Sequence, residues 1–306
     1  MQTKCGFIGV VGNTNVGKST LLNALAQSNL ALVSRKRNAT RKSQNIILMH
    51  EDSAFKSQII LVDTPGIHDA KKLLNKFMLK EALQVMQNCD LLLFIASIKD
   101  NLSHYEHFLT LTKKPHIIVL NKCDLSNGQE VLQKLSQYSA FQSHFLAIIP
   151  LSAKKIASNF SNHLNEAKDA KILLKTLSDA LPISPLLFNE EYLSDLKMRD
   201  IYKEQIRQSL FENLSDELPY ESDVIVSTVK EELILDRIFA KIYVQKESQK
   251  AIVIGKQGKT IARIGQNARL KIQELTQKKV FLQLDVLVKK GWSKKKDELK
   301  KFGYEV

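Results

Sequence analysis

Nine residues near the N-terminus restrict what this chain can fold into more than any other feature: GNTNVGKST, Gly12–Thr20. They follow an apolar run, Phe7–Val11, and lead into the helix-forming TLLNALAQ. The pattern G-x-x-x-x-G-K-[ST] between a strand and a helix is a phosphate-binding loop. Its glycines let the backbone curl until several N–H groups face one phosphate, and the helix N-terminus adds partial positive charge. Gly12, Asn13, Thr14, Asn15, Val16 and Gly17 form the cradle. Lys18 reaches the β/γ oxygens, Ser19 ligates Mg²⁺, and Thr20 closes the stretch as a helix residue.

The rest of the first 180 residues repeats that alternation. Strand-like runs occur at Gly6–Val11, Asn45–Met49, Gln58–Val62, Leu91–Ala96, His116–Leu120 and Ala147–Leu151. Helical stretches lie near Ser19–Ala26, Lys72–Met86, Ser103–Lys113, Gln129–Tyr138 and Glu166–Ala180. Such alternation predicts an α/β domain over 1–180, with a mostly parallel sheet and ligands at the carboxyl ends of its strands. The middle of KKIASNFSNHLNEAKD (154–169) reads as a long loop, being polar and poorly periodic. LPISPLLFNEEYLSD (181–195), with two prolines and a cluster of acids, reads as a linker. Residues 196–306 then give helix, two strands, two helices and a strand, a smaller α+β module.

Three further stretches define the ligand of the first loop. DTPG (Asp63, Thr64, Pro65, Gly66) follows an apolar run, so Asp63 can hold Mg²⁺ through water while the Gly66 N–H meets the γ-phosphate. NKCD places Asn121, Lys122 and Asp124 after another strand. A carboxylate there accepts from both N1–H and N2 of guanine, a donor pair that adenine lacks. A site built on such bonds rejects the analogue by roughly 10⁴-fold, because the buried acid would go unpaired. LSAKK supplies Ser152, Ala153 and Lys154 after a third strand, the Ala153 backbone facing guanine O6. These motifs, each at a strand end and in this order, predict a GTP/GDP site.

The set resembles the translation-factor-like class of GTPases. In that resemblance Thr40, within SRKRNATRKSQN, is the switch threonine that closes on Mg²⁺, so Ser19, Thr40 and Asp63 form the metal set. Lys18, Asn15, Thr40 and Gly66 are then the residues that act on the reacting phosphate. Ile67 stands where Ras-type enzymes carry the glutamine that orients water, so intrinsic hydrolysis is expected to be slow. His68 is read as structural or solvated. The resemblance also implies that Asn15 can help hold a K⁺ ion beside the phosphates.

A second glycine loop, GKQGKT (Gly255–Thr260), is not a second nucleotide site. Its glycines are separated by two residues, too few to wrap a β-phosphate, and the following TIARIGQNARLKIQEL is amphipathic at helical spacing. GKQG therefore reads as a tight turn between two helices. A G-x-x-G turn in an α-β-β-α-α-β module resembles a type II KH domain, whose loop clamps the backbone of single-stranded nucleic acid. Ile254, Gly255, Lys256, Gln257, Gly258, Lys259, Thr260 and Arg263 are the candidate RNA contacts. Charge agrees: 241–301 carries 17 Lys/Arg against 5 Asp/Glu, whereas 181–240 carries 6 against 13. Lys278, Lys279, Lys289, Lys290 and the 294–301 cluster are candidates for additional phosphate or lipid contacts. Trp292 either stacks on a base or anchors the C-terminal tail.

One GTPase domain followed by one KH module is similar to the Era family of bacterial ribosome-assembly GTPases. SRKRNATR, LVDTPGIH, LLNKFM, NKCD, LSAKK, ELPYES, VIGKQGKTIARIG and VKKGW carry the resemblance almost end to end. The family more often has proline near Ala70 and in the middle of the phosphate loop, departures that bear on loop stiffness. By resemblance, the KH module binds the 3′ end of small-subunit ribosomal RNA and the chain acts as a monomer in maturation of the small ribosomal subunit. A cytoplasmic location with a peripheral membrane fraction is likewise implied. Cys5, Cys89 and Cys123 show no metal-ligand spacing and read as free thiols, and no apolar run is long enough to span a bilayer. Two other readings stay open: a membrane-associated signalling GTPase whose basic domain reads acidic lipid, and a GTPase of tRNA modification, for which no catalytic cysteine motif is present.

Overall fold

The computed structural model describes residues 1–27, 30, 40–66, 73–161, 168–215 and 217–304, without the side chains of 159–161. The described residues form two compact units, one of 1–27, 30, 40–66, 78–161 and 168–195, the other built mainly from Leu196 onward and grouped with 73–77.

The first unit is an α/β domain. Its elements are β1 (Gln2–Val11), α1 (Lys18–Ala26), β2 (Gln44–Glu51), β3 (Phe55–Asp63), α2 (Leu73–Asn88), β4 (Leu91–Ser97), α3 (Ser103–Leu111), β5 (His116–Asn121), α4 (Gly128–Ser139), β6 (Ala147–Pro150), α5 (Ala153–Ser161) and α6 (Lys168–Ala180). The strand order is β2-β3-β1-β4-β5-β6, and β2 runs antiparallel to β3 while the other pairs are parallel. Strands covered by helices on both faces should be apolar throughout; LLLFIAS of β4 and HIIVLN of β5 are buried at every residue. The order turns at β1, between β3 and β4. That puts the topological switch point, where such sheets bind ligands, at Val11 and the glycine loop that follows it.

Two segments bear on the expected organisation. The stretch from 154 is helical through Ser161 in α5, which packs against α1 with Ile156 only 1% exposed. Its start is encoded by Ser152, whose hydroxyl accepts from the Lys155 N–H as a helix cap does. Residues 162–167 lie outside the described set. The second is 181–195, expected as a linker, which runs as a strap along the first unit. Cys5 N–H donates to Pro182 O at 3.3 Å, and Ile47 N–H to Leu193 O at 2.9 Å. Buried Gln58 accepts from the N–H groups of Leu187 and Phe188 and donates to the Phe188 carbonyl. The sheet edge has backbone groups to satisfy, and the proline-containing strap satisfies them.

The second unit comprises α7 (Met198–Asn213), α8 (Leu218–Glu221), β7 (Asp223–Glu231), β8 (Leu235–Val244), α9 (Glu247–Ile254), α10 (Lys259–Thr276), β9 (Lys279–Val288) and α11 (Lys296–Lys301). β8 is central, antiparallel to β7 and parallel to β9. LDRIFAKIYV of β8 alternates strictly between buried and half-buried, so Ile238, Ala240, Ile242 and Val244 meet the helices. Ile264, Ala268 and Ile272 of α10, one turn apart and fully buried, complete that core with Ile206 and Leu210 of α7. Trp292 belongs to the packing alternative: it is fully buried, lies 4.6 Å from the Phe302 ring, and donates to the Glu221 carbonyl. Tyr304 fastens the tail by donating to buried Asp223 at 2.5 Å. Among the described residues no helix is long and apolar enough to cross a membrane.

Candidate functional site

The glycine loop leaves β1 and curls under α1. Gly12 has φ 149° and lies against the backbone of β4, where an added Cβ would meet Ile95 O at 2.2 Å. Gly17 has φ 100°, and its missing side chain makes room for the Asn121 amide. No other residue fits either place. Lys18 bends back over the loop and donates to the carbonyls of Gly12 (3.0 Å) and Asn13 (2.9 Å). Burial pushes its pKa down to about 8, with Asp63 and Asp100 pulling it back up. A lysine held this way has charge to offer a phosphate group.

Three oxygens gather below it. Ser19 Oγ lies 3.4 Å from Thr40 Oγ1, and both hydroxyls lie within 3.4 Å of Asp63 Oδ2. Asp63 is fully buried, and its Oδ1 has no hydrogen-bond partner among the described residues. Burial raises its pKa to about 6, against Lys18, Thr40 and Ser19, which lower it. A desolvated carboxylate with an orphaned oxygen beside two hydroxyls is a donor set of the hard-oxygen kind that Mg²⁺ requires. Gly66, at the end of DTPG, lies against the loop: a Cβ there would meet the Thr14 methyl at 2.7 Å. Thr64 anchors the same segment through a 2.7 Å bond to Val10 O. Ile67 and His68 lie outside the described residues, as does Ala70.

Asn121, 1% exposed, joins the remaining motifs. Its amide donates to Val16 O at 2.8 Å, and its carbonyl accepts from the N–H groups of Lys122 (2.7 Å) and Ala153 (2.9 Å). Lys122 adds a 2.5 Å bond to the carbonyl of Asn15, a residue held at φ 63°. The Asp124 carboxylate is oriented by the Ser152 hydroxyl at 2.5 Å, and Lys154 follows on the exposed side of α5. Every nucleotide residue expected from sequence therefore sits at the carboxyl ends of β1, β3, β5 and β6, apart from Thr40, which precedes β2. Sequence reading missed the clip that Asn121 forms, the proximity of Asp100 to Lys18, and a 3.1 Å contact between Asn13 Nδ2 and His104 Nε2 at the start of α3. The buried asparagine carried a readable signal, since a polar side chain ending an apolar strand must be bonded on both sides.

In the second unit GKQG is one 3-10 turn between α9 and α10. Gly255 (φ 74°) faces the Thr260 hydroxyl, which a Cβ would meet at 2.2 Å, whereas Gly258 (φ 75°) faces open space. Gln257 is also left-handed, at φ 52°. Lys256, Gln257, Lys259 and Arg263 are exposed, with Ile254 and Thr260 half-buried behind them. Several of the other lysines named as candidates for phosphate or lipid contacts are paired: Lys278 with Asp236, and Lys289 and Lys301 with Glu298.

A family profile described as a 50S ribosome-binding GTPase matches residues 7–122, and a KH-domain profile matches residues 205–293. The GTPase Era of Helicobacter pylori is 52% identical over 305 residues, covering 99% of this chain and 98% of its own length. The chain belongs to the Era family. The Era of Campylobacter lari is 43% identical over 303 residues. Among solved structures, an Aquifex aeolicus Era variant bound to GDP and AlF4⁻ superposes with a TM-score of 0.89 at 29% identity, covering 99% of this chain and all of that one. Era in complex with MgGDPNP and nucleotides 1506–1542 of 16S ribosomal RNA gives 0.88 at the same identity and coverage. Both halves of the chain, the P-loop GTPase domain and the C-terminal KH domain, are thus those of Era.

Proposed function

We propose that this Era-family GTPase hydrolyses GTP and uses its nucleotide state to control binding of the 3′ end of small-subunit ribosomal RNA during maturation of that subunit. The observation that supports it best is the convergence of all four guanine-nucleotide motifs at the carboxyl ends of one sheet's strands, in a chain whose other unit presents an exposed G-x-x-G turn. The relative with MgGDPNP and 16S RNA bound matches both units at once. The 50S description belongs to a profile covering the GTPase half alone, so the choice of ribosomal subunit rests on the relative bound to 16S RNA.

In this reading Lys18 and the N–H groups of the glycine loop neutralise the β/γ oxygens, and the Gly66 N–H meets the γ-phosphate. Asp124 and Ala153 select guanine. Ser19, Thr40 and Asp63 hold Mg²⁺, which when bound neutralises charge on the phosphates. Because Ile67 cannot orient water, intrinsic turnover is slow. Asn15 is exposed beside the loop and contributes to a K⁺ site; equal rates in Na⁺ and K⁺ buffers, or K⁺ stimulation surviving Asn15→Ala, would overturn that role. The RNA assignment is tested by crosslinking the protein to cellular RNA with a GTP analogue bound and sequencing the footprint. Fragments from the 3′ end of the small-subunit RNA, lost in Gly258→Asp with GTP binding retained, are expected. A footprint elsewhere, or one indifferent to that substitution, refutes the assignment.

A further inference from the structure

We infer that Glu81 is a positioning residue for GTP, holding the switch threonine Thr40 in range of the metal set. Its carboxylate Oε1 accepts two bonds from Ser43, from the backbone N–H at 2.5 Å and the hydroxyl at 2.7 Å. Ser43 is the last residue before β2 and lies three positions after Thr40. Three residues span at most about 10 Å, so a fixed Ser43 is a short tether on Thr40. Thr40 Oγ1 in turn lies 3.3 Å from Asp63 Oδ2. Glu81 itself sits on α2, the first helix among the described residues after the DTPG segment, whose Gly66 abuts the phosphate loop. One charge-assisted pair of bonds thereby joins the helix following one γ-phosphate contact to the strand following the other. Bonds accepted by a carboxylate are roughly twice as strong as neutral ones, which suits a latch.

The inference rests on the assignment of Thr40 to Mg²⁺. It is tested in the full chain by the affinity ratio of a GTP analogue over GDP, measured across a Mg²⁺ titration. Glu81→Ala is expected to lower the ratio about tenfold and to raise the Mg²⁺ requirement of the analogue complex, with GDP affinity unchanged within about twofold. Glu81→Gln, whose amide oxygen still accepts from Ser43, should restore most of the ratio, and Ser43→Ala should lower it by about threefold. Thr40→Ala sets the scale. If it lowers the ratio and neither Glu81→Ala nor Ser43→Ala does, the inference is overturned while the metal assignment survives. If Thr40→Ala also leaves the ratio intact, the metal assignment fails first. Equal weakening of both nucleotides with a lowered Tm makes Glu81 a structural residue only, which also overturns the inference.

Discussion

Two buried charges of opposite sign set the working pH of the nucleotide pocket. Asp63 holds its proton more tightly folded, at about 6, than the about 3.9 of an unfolded chain. The nucleotide-free protein therefore loses stability as pH rises from about 4 to 6, and this contribution is level above. Lys18 is depressed to about 8, so the folded state carries fewer protons than the unfolded one between about 8 and 10.5, and stability rises with pH across that window. Ligands reverse both preferences, since Mg²⁺ needs the carboxylate and phosphate needs the ammonium. Apparent Mg²⁺ affinity should fall by up to about tenfold per pH unit below 6, and GTP affinity should decline above about 8. A fluorescent GTP analogue titrated from pH 5 to 9 checks both limbs; a flat profile rules out the coupling.

At the scale of elements, the two glycines of the KH turn are not equivalent. Both have positive φ, a conformation costing a non-glycine residue about 1 kcal/mol. Gly255→Ala adds a clash with Thr260 and should disorder the α9–α10 junction, abolishing RNA binding and lowering Tm. Gly258→Ala meets open space and should cost only about 1 kcal/mol, leaving the fold intact. Thermal melts and RNA titrations of the pair distinguish these outcomes. Ile264 marks the other face of α10, where truncation to Ala should cost about 2–5 kcal/mol, read as a lower denaturation midpoint. Most strands and helices were legible because period 2 and period 3.6 are written directly in the apolar positions. The strap at 181–195 was not, because its hydrogen bonds go to distant Gln58, Ile47 and Cys5. Helix α5 does carry buried apolar residues at helical spacing, Ala153 and Ile156, but they are few and stand in an otherwise polar stretch.

At the scale of the whole molecule, the proposed function has one chain read two kinds of phosphate with separate units. The compact triphosphate is enclosed, so Lys18 is buried. In the proposed function the polymer is met at an exposed turn, where Lys256 and Lys259 are solvated. RNA affinity should thus be strongly salt-dependent, and replacing Lys256 or Lys259 by Ala should lower the slope of log K against log salt by about 0.7 each. GTP affinity without RNA should be unaffected. Fluorescence anisotropy at several KCl concentrations measures the slopes, and unchanged slopes would exclude these lysines from phosphate contact.

The sequence alone determined the two glycine loops, the four nucleotide motifs and their order, and the element order of both units, because each is a local pattern of residue types. Tertiary structure decided which long-range groups complete them. Asn121 clips three loops together, Glu81 reaches Ser43, the strap closes a sheet edge and Trp292 packs inward. A side chain's chemistry is present in the sequence, but the partner that satisfies it in the dry interior exists only once distant segments have been brought together.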